Sequence, residues 1–175
     1  EHLKVVYTGG DVMEFPKRKK IRLKGYDYSS NGAYFVTICT HNREMLFGNV
    51  GADSISARMV DDIWHKIINQ YKNIQCPQYV IMPNHFHAII VAERADMESA
   101  PTISTIIQSF KRYSTIEYIK LVKQKIFPPF NKQIWQRSFH DHIIRNEAEY
   151  QKIWQYIDEN PLKWEEDCFY YAQNK

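Results

Sequence analysis

The stretch Gln78-Tyr79-Val80-Ile81-Met82-Pro83-Asn84-His85-Phe86-His87-Ala88-Ile89-Ile90-Val91 leaves its backbone few options. Two runs rich in β-branched and aromatic residues, Gln78 to Met82 and Phe86 to Val91, have only Pro83-Asn84 clearly between them. They must therefore join by a tight turn as an antiparallel hairpin. Side chains alternate along a strand, so His85, at the entrance of the second run, and His87 point to one face, while Phe86 points into the core. Two imidazoles side by side are a ready pair of metal ligands, and equally two ordinary histidines on a half-exposed strand.

The flanking patterns build a fold around this hairpin. Ala33 to Thr40 reads as a first strand. Residues 56–73 carry apolar positions at Met59, Val60, Ile63, Trp64, Ile67, Ile68 and Tyr71, the rhythm of a one-sided helix. A second helix is expected from Ile103 through Ile106, Ile107, Phe110, Tyr113, Ile116 and Ile119, with Thr102 or Ser104 as N-cap. Ile134 to Ile144 reads as an irregular strand, and Asn146 caps a last helix from Glu147 to Asn160, stopped by Pro161. The order β-α-β-β-α-β-α is α+β: a ferredoxin-like sandwich, an antiparallel sheet with helices on one face, plus an added C-terminal helix.

Residues 1–16 show only a Thr8-Gly9-Gly10-Asp11 turn signal and read as a leader or arm. Residues 17–175 read as a single domain, opening with a basic and then polar arm. At 175 residues the chain can bury a core without disulfides or structural metal. Cys39, Cys76 and Cys168 are odd in number and far apart, which suits a reducing cytoplasm rather than a disulfide framework. No stretch approaches the roughly 18 apolar residues of a membrane span. Net charge is only +3, but Lys17, Arg18, Lys19, Lys20, Arg22 and Lys24 cluster in one segment, and Lys111, Arg112, Lys120, Lys123 and Lys125 recur later. Such clusters fit a phosphate backbone or a solvated face.

The last helix supplies further chemistry. Tyr156 and Asn160 lie one turn apart on the flank of the stripe Tyr150, Ile153, Trp154 and Ile157. They are either a core-edge phenol and a helix stop or, with the helix laid across the sheet, partners of the two histidines. In the second case His85, His87 and the Asn160 amide oxygen would hold a divalent cation, Mg2+ or Mn2+, and Tyr156 would be a nucleophile needing activation.

The ordered series Arg22-Leu23-Lys24-Gly25-Tyr26-Asp27-Tyr28, Met82-Pro83-Asn84-His85-Phe86-His87, Ile134-Trp135-Gln136-Arg137, His142-Ile143-Ile144-Arg145-Asn146 and Tyr156-Ile157-Asp158-Glu159-Asn160-Pro161 resembles the REP-associated tyrosine transposases. These are HUH (histidine, hydrophobic, histidine) single-tyrosine transposases related to the smallest insertion-sequence transposases, and the match reaches from about Lys17 to Trp164. The resemblance implies a bacterial, cytoplasmic, metal-dependent endonuclease and strand-transferase acting on single-stranded or hairpin DNA, as a monomer or homodimer. It places the metal ligands on His85, His87 and Asn160, and the nucleophile, forming a 5′-phosphotyrosine, on Tyr156. Tyr113 and Tyr118 rank lower, because Tyr113 belongs to the apolar stripe of its helix and Tyr118 lacks a ligand one turn away.

The expected DNA contacts are the basic arm Lys17, Arg18, Lys19, Lys20, Arg22 and Lys24, together with Lys111, Arg112 and Arg137. Tyr26, Tyr28 and Trp135 are available to stack on unpaired bases. His140 and His142 share a strand face and are structural, hairpin-contacting or able to orient a ligand imidazole. The alternative reading is a non-catalytic single-stranded nucleic-acid-binding module on the same fold.

Overall fold

The computed structural model describes residues 7–8, 11–12, 32–50, 54–93 and 101–170. Tyr7–Thr8 pairs with Asp11–Val12 as a short antiparallel ladder; the basic arm 17–24 with Tyr26 and Tyr28 lies outside the described residues. The domain then runs β1 (Gly32–Cys39), α1 (Ile55–Ile68), β2 (Ile74–Met82), β3 (His85–Ala92), α2 (Ile103–Lys123), β4 (His140–Ile144) and α3 (Glu147–Glu159). The four strands pair antiparallel in the order β2-β3-β1-β4, the ferredoxin-like arrangement.

Strand alternation divides the sheet into two faces. Tyr34, Val36 and Ile38 of β1 and Phe86, Ala88 and Ile90 of β3 form a buried layer with Val60, Trp64 and Ile67 of α1 and Ile106, Ile107 and Phe110 of α2. The opposite face carries Phe35, Ile89, Val91 and Ile144, which α3 covers with Ile153, Trp154 and Ile157. Helices thus lie on both sides, with α1 and α2 making the main core and α3 alone over the histidine face. Phe86 is fully buried, its ring 4.8 Å from Trp64 and 5.2 Å from Phe110. Replacing it with Ala should destabilise the domain by about 3–5 kcal/mol, whereas Leu should cost under about 1.5 kcal/mol. Chemical denaturation measures both; an Ala variant within 1 kcal/mol of the parent would contradict this account of the core.

Four elements differ from the sequence expectation. α1 ends at Ile68, so Tyr71 lies beyond it and not on its stripe. β2 starts at Ile74 rather than Gln78, with a register shift between Gln75 and Gln78 that accommodates Pro77 on an edge strand. The last strand starts at His140, not Ile134. Upstream of it only Trp135 bridges to Thr40, while Lys111 Nζ takes the carbonyls of Gln136 and Ser138 at 2.8 and 2.9 Å. With an ammonium holding those carbonyls, the segment is irregular rather than a ladder.

On α2 the buried stripe is Ile103, Ile106, Ile107, Phe110, Ser114 and Tyr118, and Tyr113, Ile116 and Ile119 are exposed. Ser114 explains the drift. Its hydroxyl donates to the Phe110 carbonyl (2.6 Å) and accepts from Trp135 Nε1 (2.8 Å), so a polar residue is satisfied inside the core.

Candidate metal and nucleophile site

The hairpin turn at Pro83-Asn84 places Met82 opposite His85, and β1 places Cys39 opposite His85 and Thr37 opposite His87. Both imidazoles are buried, with ring centroids 4.5 Å apart. Each is oriented by one hydrogen bond on Nδ1. Thr37 Oγ1 lies 2.8 Å from His87 Nδ1, and Asn84 Oδ1 lies 2.8 Å from His85 Nδ1. The Asn84 amide nitrogen donates to the carbonyls of Phe169 (2.9 Å) and Arg43 (3.4 Å), which turns its oxygen toward His85. An oxygen there accepts a hydrogen bond from the Nδ1–H, so the proton stays on Nδ1 and His85 Nε2 keeps a free lone pair.

Burial pushes the pKa of His85 down to about 4. It pushes His87 well below the usual histidine range too, with the neighbouring His85 adding to the effect. Both rings are therefore neutral near pH 7, the form that can ligate a metal.

α3 crosses the histidine face because Ile157, Ile153 and Trp154 bury against Ile89, Ile144 and Phe35. That packing brings Tyr156 Oη within 3.3 Å of His87 Nε2 and sets its ring edge-on to Phe35, whose own ring stacks on His87 at 5.2 Å. Asn160, at the helix end, is buried. A further residue joins them from the segment beyond α3. Asp167 Oδ2 accepts from Asn160 Nδ2 (2.6 Å) and from Tyr156 Oη (3.2 Å). Arg43, in a left-handed turn after β1 (φ 56°), holds that segment by donating to the Cys168 carbonyl at 2.9 Å and lying over the Phe169 ring.

The donor set suits a cation. Ligand atoms of His85, His87 and Asp167 lie within 4.8 Å of one another. His85 Nε2 and Asn160 Oδ1 are buried without any hydrogen-bond partner, an arrangement that costs roughly 1–3 kcal/mol per group until something fills it. Two imidazoles with amide and carboxylate oxygens are a mixed set that favours Mn2+ over Mg2+. The Tyr156 phenol is held protonated: burial raises its pKa first, and the Asp167 carboxylate adds to that.

Other expected residues fall elsewhere. Trp135 is buried, its ring packed 5.0 Å from Phe47 and 5.4 Å from Phe110, so it is a core residue and not a stacking platform for bases. The Lys111 ammonium is spent on two carbonyls and its pKa falls to about 8 through burial, so it fixes the 134–139 segment instead of facing DNA. Arg112 and Arg137 are exposed. His142 pairs with Glu149 of α3 at 2.6 Å and His140 is exposed. The groups that orient the site imidazoles are Thr37 and Asn84, not these two.

Of the two rival tyrosines, only the reason given for Tyr113 is overturned, since it does not belong to the buried stripe of its helix. Tyr113 is the exposed one, whereas Tyr118 is fully buried against Phe127 and Phe130. Sequence reasoning gave no role at the site to Thr37, Asn84 or Asp167. Asn84 sits inside the Met82–His87 run, whereas Asp167 carries no signal beyond a short acidic run.

The family model described as "Transposase IS200 like" matches residues 28–160. The chain belongs to the IS200-like transposase family. The matched span holds His85, His87, Tyr156 and Asn160 and ends before Asp167. This IS200-like chain is 33% identical over 174 residues to an uncharacterised protein of Haemophilus influenzae, covering 87% of this chain and 93% of that one. Its fold is similar to that of a REP-associated tyrosine transposase bound to a REP hairpin, with a TM-score of 0.59 over 82% of this chain and 74% of that chain, at 22% identity. Membership gives the IS200-like protein a transposase-type role in DNA processing.

Proposed function

We propose that this transposase-family protein is a divalent-metal-dependent nuclease and strand-transferase. It would cut single-stranded DNA beside a hairpin and become joined through Tyr156 to the 5′ phosphate of the cut. The observation that carries this reading is the phenol of Tyr156 at 3.3 Å from His87 Nε2, beside two buried acceptors with no partner, His85 Nε2 and Asn160 Oδ1. A plain binding surface has no use for such a cluster.

His85, His87 and Asn160 would hold the metal, with Asp167 in reach. When bound, the ion supplies charge neutralisation and polarisation of a phosphodiester. The chain's own residues do the rest. Phe35, Trp164 and Phe169 wall the imidazoles off from water. As Tyr156 Oη forms its bond to phosphorus, its proton passes to the hydrogen-bonded Asp167 Oδ2, and the phosphorus–O3′ bond breaks. The departing oxygen takes a proton from water and leaves as a 3′-hydroxyl. Attack by a 3′-hydroxyl on the phosphotyrosine reverses the step, so joining consumes no ATP.

The test is incubation with a library of single-stranded hairpins and Mn2+ or Mg2+, followed by denaturation and mapping of any covalent adduct to its tyrosine and DNA site. An adduct on Tyr156 is expected; tight hairpin retention with no adduct under either metal would favour the binding module instead. Asn84→Ala removes the acceptor that fixes His85 and frees two carbonyls. Mn2+ affinity should drop roughly 10- to 100-fold with little change in hairpin affinity. Calorimetric titration reads the first and fluorescence anisotropy the second; unchanged Mn2+ affinity would remove Asn84 from the site.

A further inference from the structure

A groove of about 460 Å3 lies between the outward side of α2 and the 130–137 segment. Its volume falls in the range of roughly 300–1,000 Å3 typical of clefts that hold small molecules. Arg112, Lys132 and Arg137 rim it, Ile116, Ile119 and Phe130 contribute apolar surface, and no acidic side chain lines it. Arg112, Lys132 and Arg137 are exposed, and among the described residues none of the three forms an ion pair with a carboxylate. Arg112 lies over the Tyr113 ring, 5.9 Å from its centroid, and three cations around an apolar floor make a positive surface suited to an anion with a flat apolar part. An unpaired nucleotide has that combination, a phosphate beside a π-face.

The groove also adjoins the end of the sheet that bears the site. Gln136 N donates to the Cys39 carbonyl and Gln136 Nε2 to the Thr40 carbonyl. Thr40 N in turn donates to the carbonyl of Asn84, the residue that orients His85.

We infer that this groove is a binding site for an unpaired segment of the DNA substrate, separate from the cleavage centre. Phosphates would sit on Arg112, Lys132 and Arg137, and bases would lie against Ile116, Ile119 and Phe130. The inference rests on the nuclease reading for its choice of DNA, but its test reads binding independently of cleavage.

Fluorescein-labelled oligo(dT), oligo(rU) and a blunt duplex of equal length serve as probes, with the full chain and its Arg112→Gln/Arg137→Gln and Ile119→Ser variants. These side chains are exposed, and thermal melting of each variant checks that it folds. The double variant should weaken oligo(dT) binding about ten-fold or more. It should also lower the slope of log affinity against log salt by roughly 1.4, the value for two single-strand phosphate contacts. Ile119→Ser should weaken oligo(dT) without changing that slope. Oligo(dT) affinity unchanged in the double variant, an equal loss for duplex, or oligo(rU) bound more tightly than oligo(dT) would each overturn the groove's assignment. Loss of oligo(dT) affinity in the groove variants, in a protein that never forms a phosphotyrosine, would sink the nuclease reading and leave the groove standing.

Discussion

Tyr156→Phe is expected to abolish the covalent protein–DNA adduct, lowering its rate of formation by roughly 10^4-fold or more, while hairpin affinity stays within about two-fold. The substitution removes a single hydroxyl. The ring remains to pack edge-on against Phe35 and beside His87, and the position is two-fifths exposed, so the fold has little to lose. What disappears is the oxygen that lies 3.3 Å from His87 Nε2 and 3.2 Å from Asp167 Oδ2. Tyr113→Phe and Tyr118→Phe serve as controls and should keep the adduct: Tyr113 is on α2, which packs on the sheet face opposite the histidines, and Tyr118 is sealed in the core. Denaturing electrophoresis of labelled DNA separates the outcomes, and an adduct that survives Tyr156→Phe would move the nucleophile elsewhere.

His85→Ala should be nearly as severe. It removes one of the site's two buried acceptors that lack a partner, together with the ring that closes the site against Trp164 and Phe169. Losing a ligand that neutralises developing charge amounts to several kcal/mol, or about 10^3-fold in cleavage, and EDTA should reproduce the effect in the parent protein. The sign of the pH dependence follows from burial. The folded-state pKa of His85 lies near 4, below the ordinary value near 6.5, so protons compete with the metal only in more acidic solution. Mn2+ affinity should therefore hold nearly level from pH 8 to about 6, where an unburied histidine pair would already be losing it. Cleavage that continues at full rate in EDTA, or an Mn2+ affinity that halves by pH 6.5, would count against this site as the metal centre.

His85, His87, Tyr156 and Asn160 all lie within the span that the family model matches. Asp167 stands apart from them, since it enters from beyond the matched span and touches both the phenol and the amide.

Short-range periodicity was enough to read much of this molecule. Two-residue alternation put His85 and His87 on one face, a two-residue turn fixed their hairpin, and helical spacing put Tyr156 and Asn160 one turn apart. Each of these depends on neighbours a few residues away, which is the range over which backbone geometry imposes a rule. The tertiary structure decided what no local rule reaches. Tyr156 meets His87 across 69 positions, and Asn84 meets Phe169 across 85.

The side of α2 that is buried turned on Ser114 finding a partner in Trp135, a contact across 21 positions that made Tyr113 exposed and Trp135 part of the core. A polar residue inside a stripe, or an aromatic one near basic neighbours, has two acceptable fates by composition alone. Which one occurs depends on whether a distant chain segment arrives to satisfy its hydrogen bond.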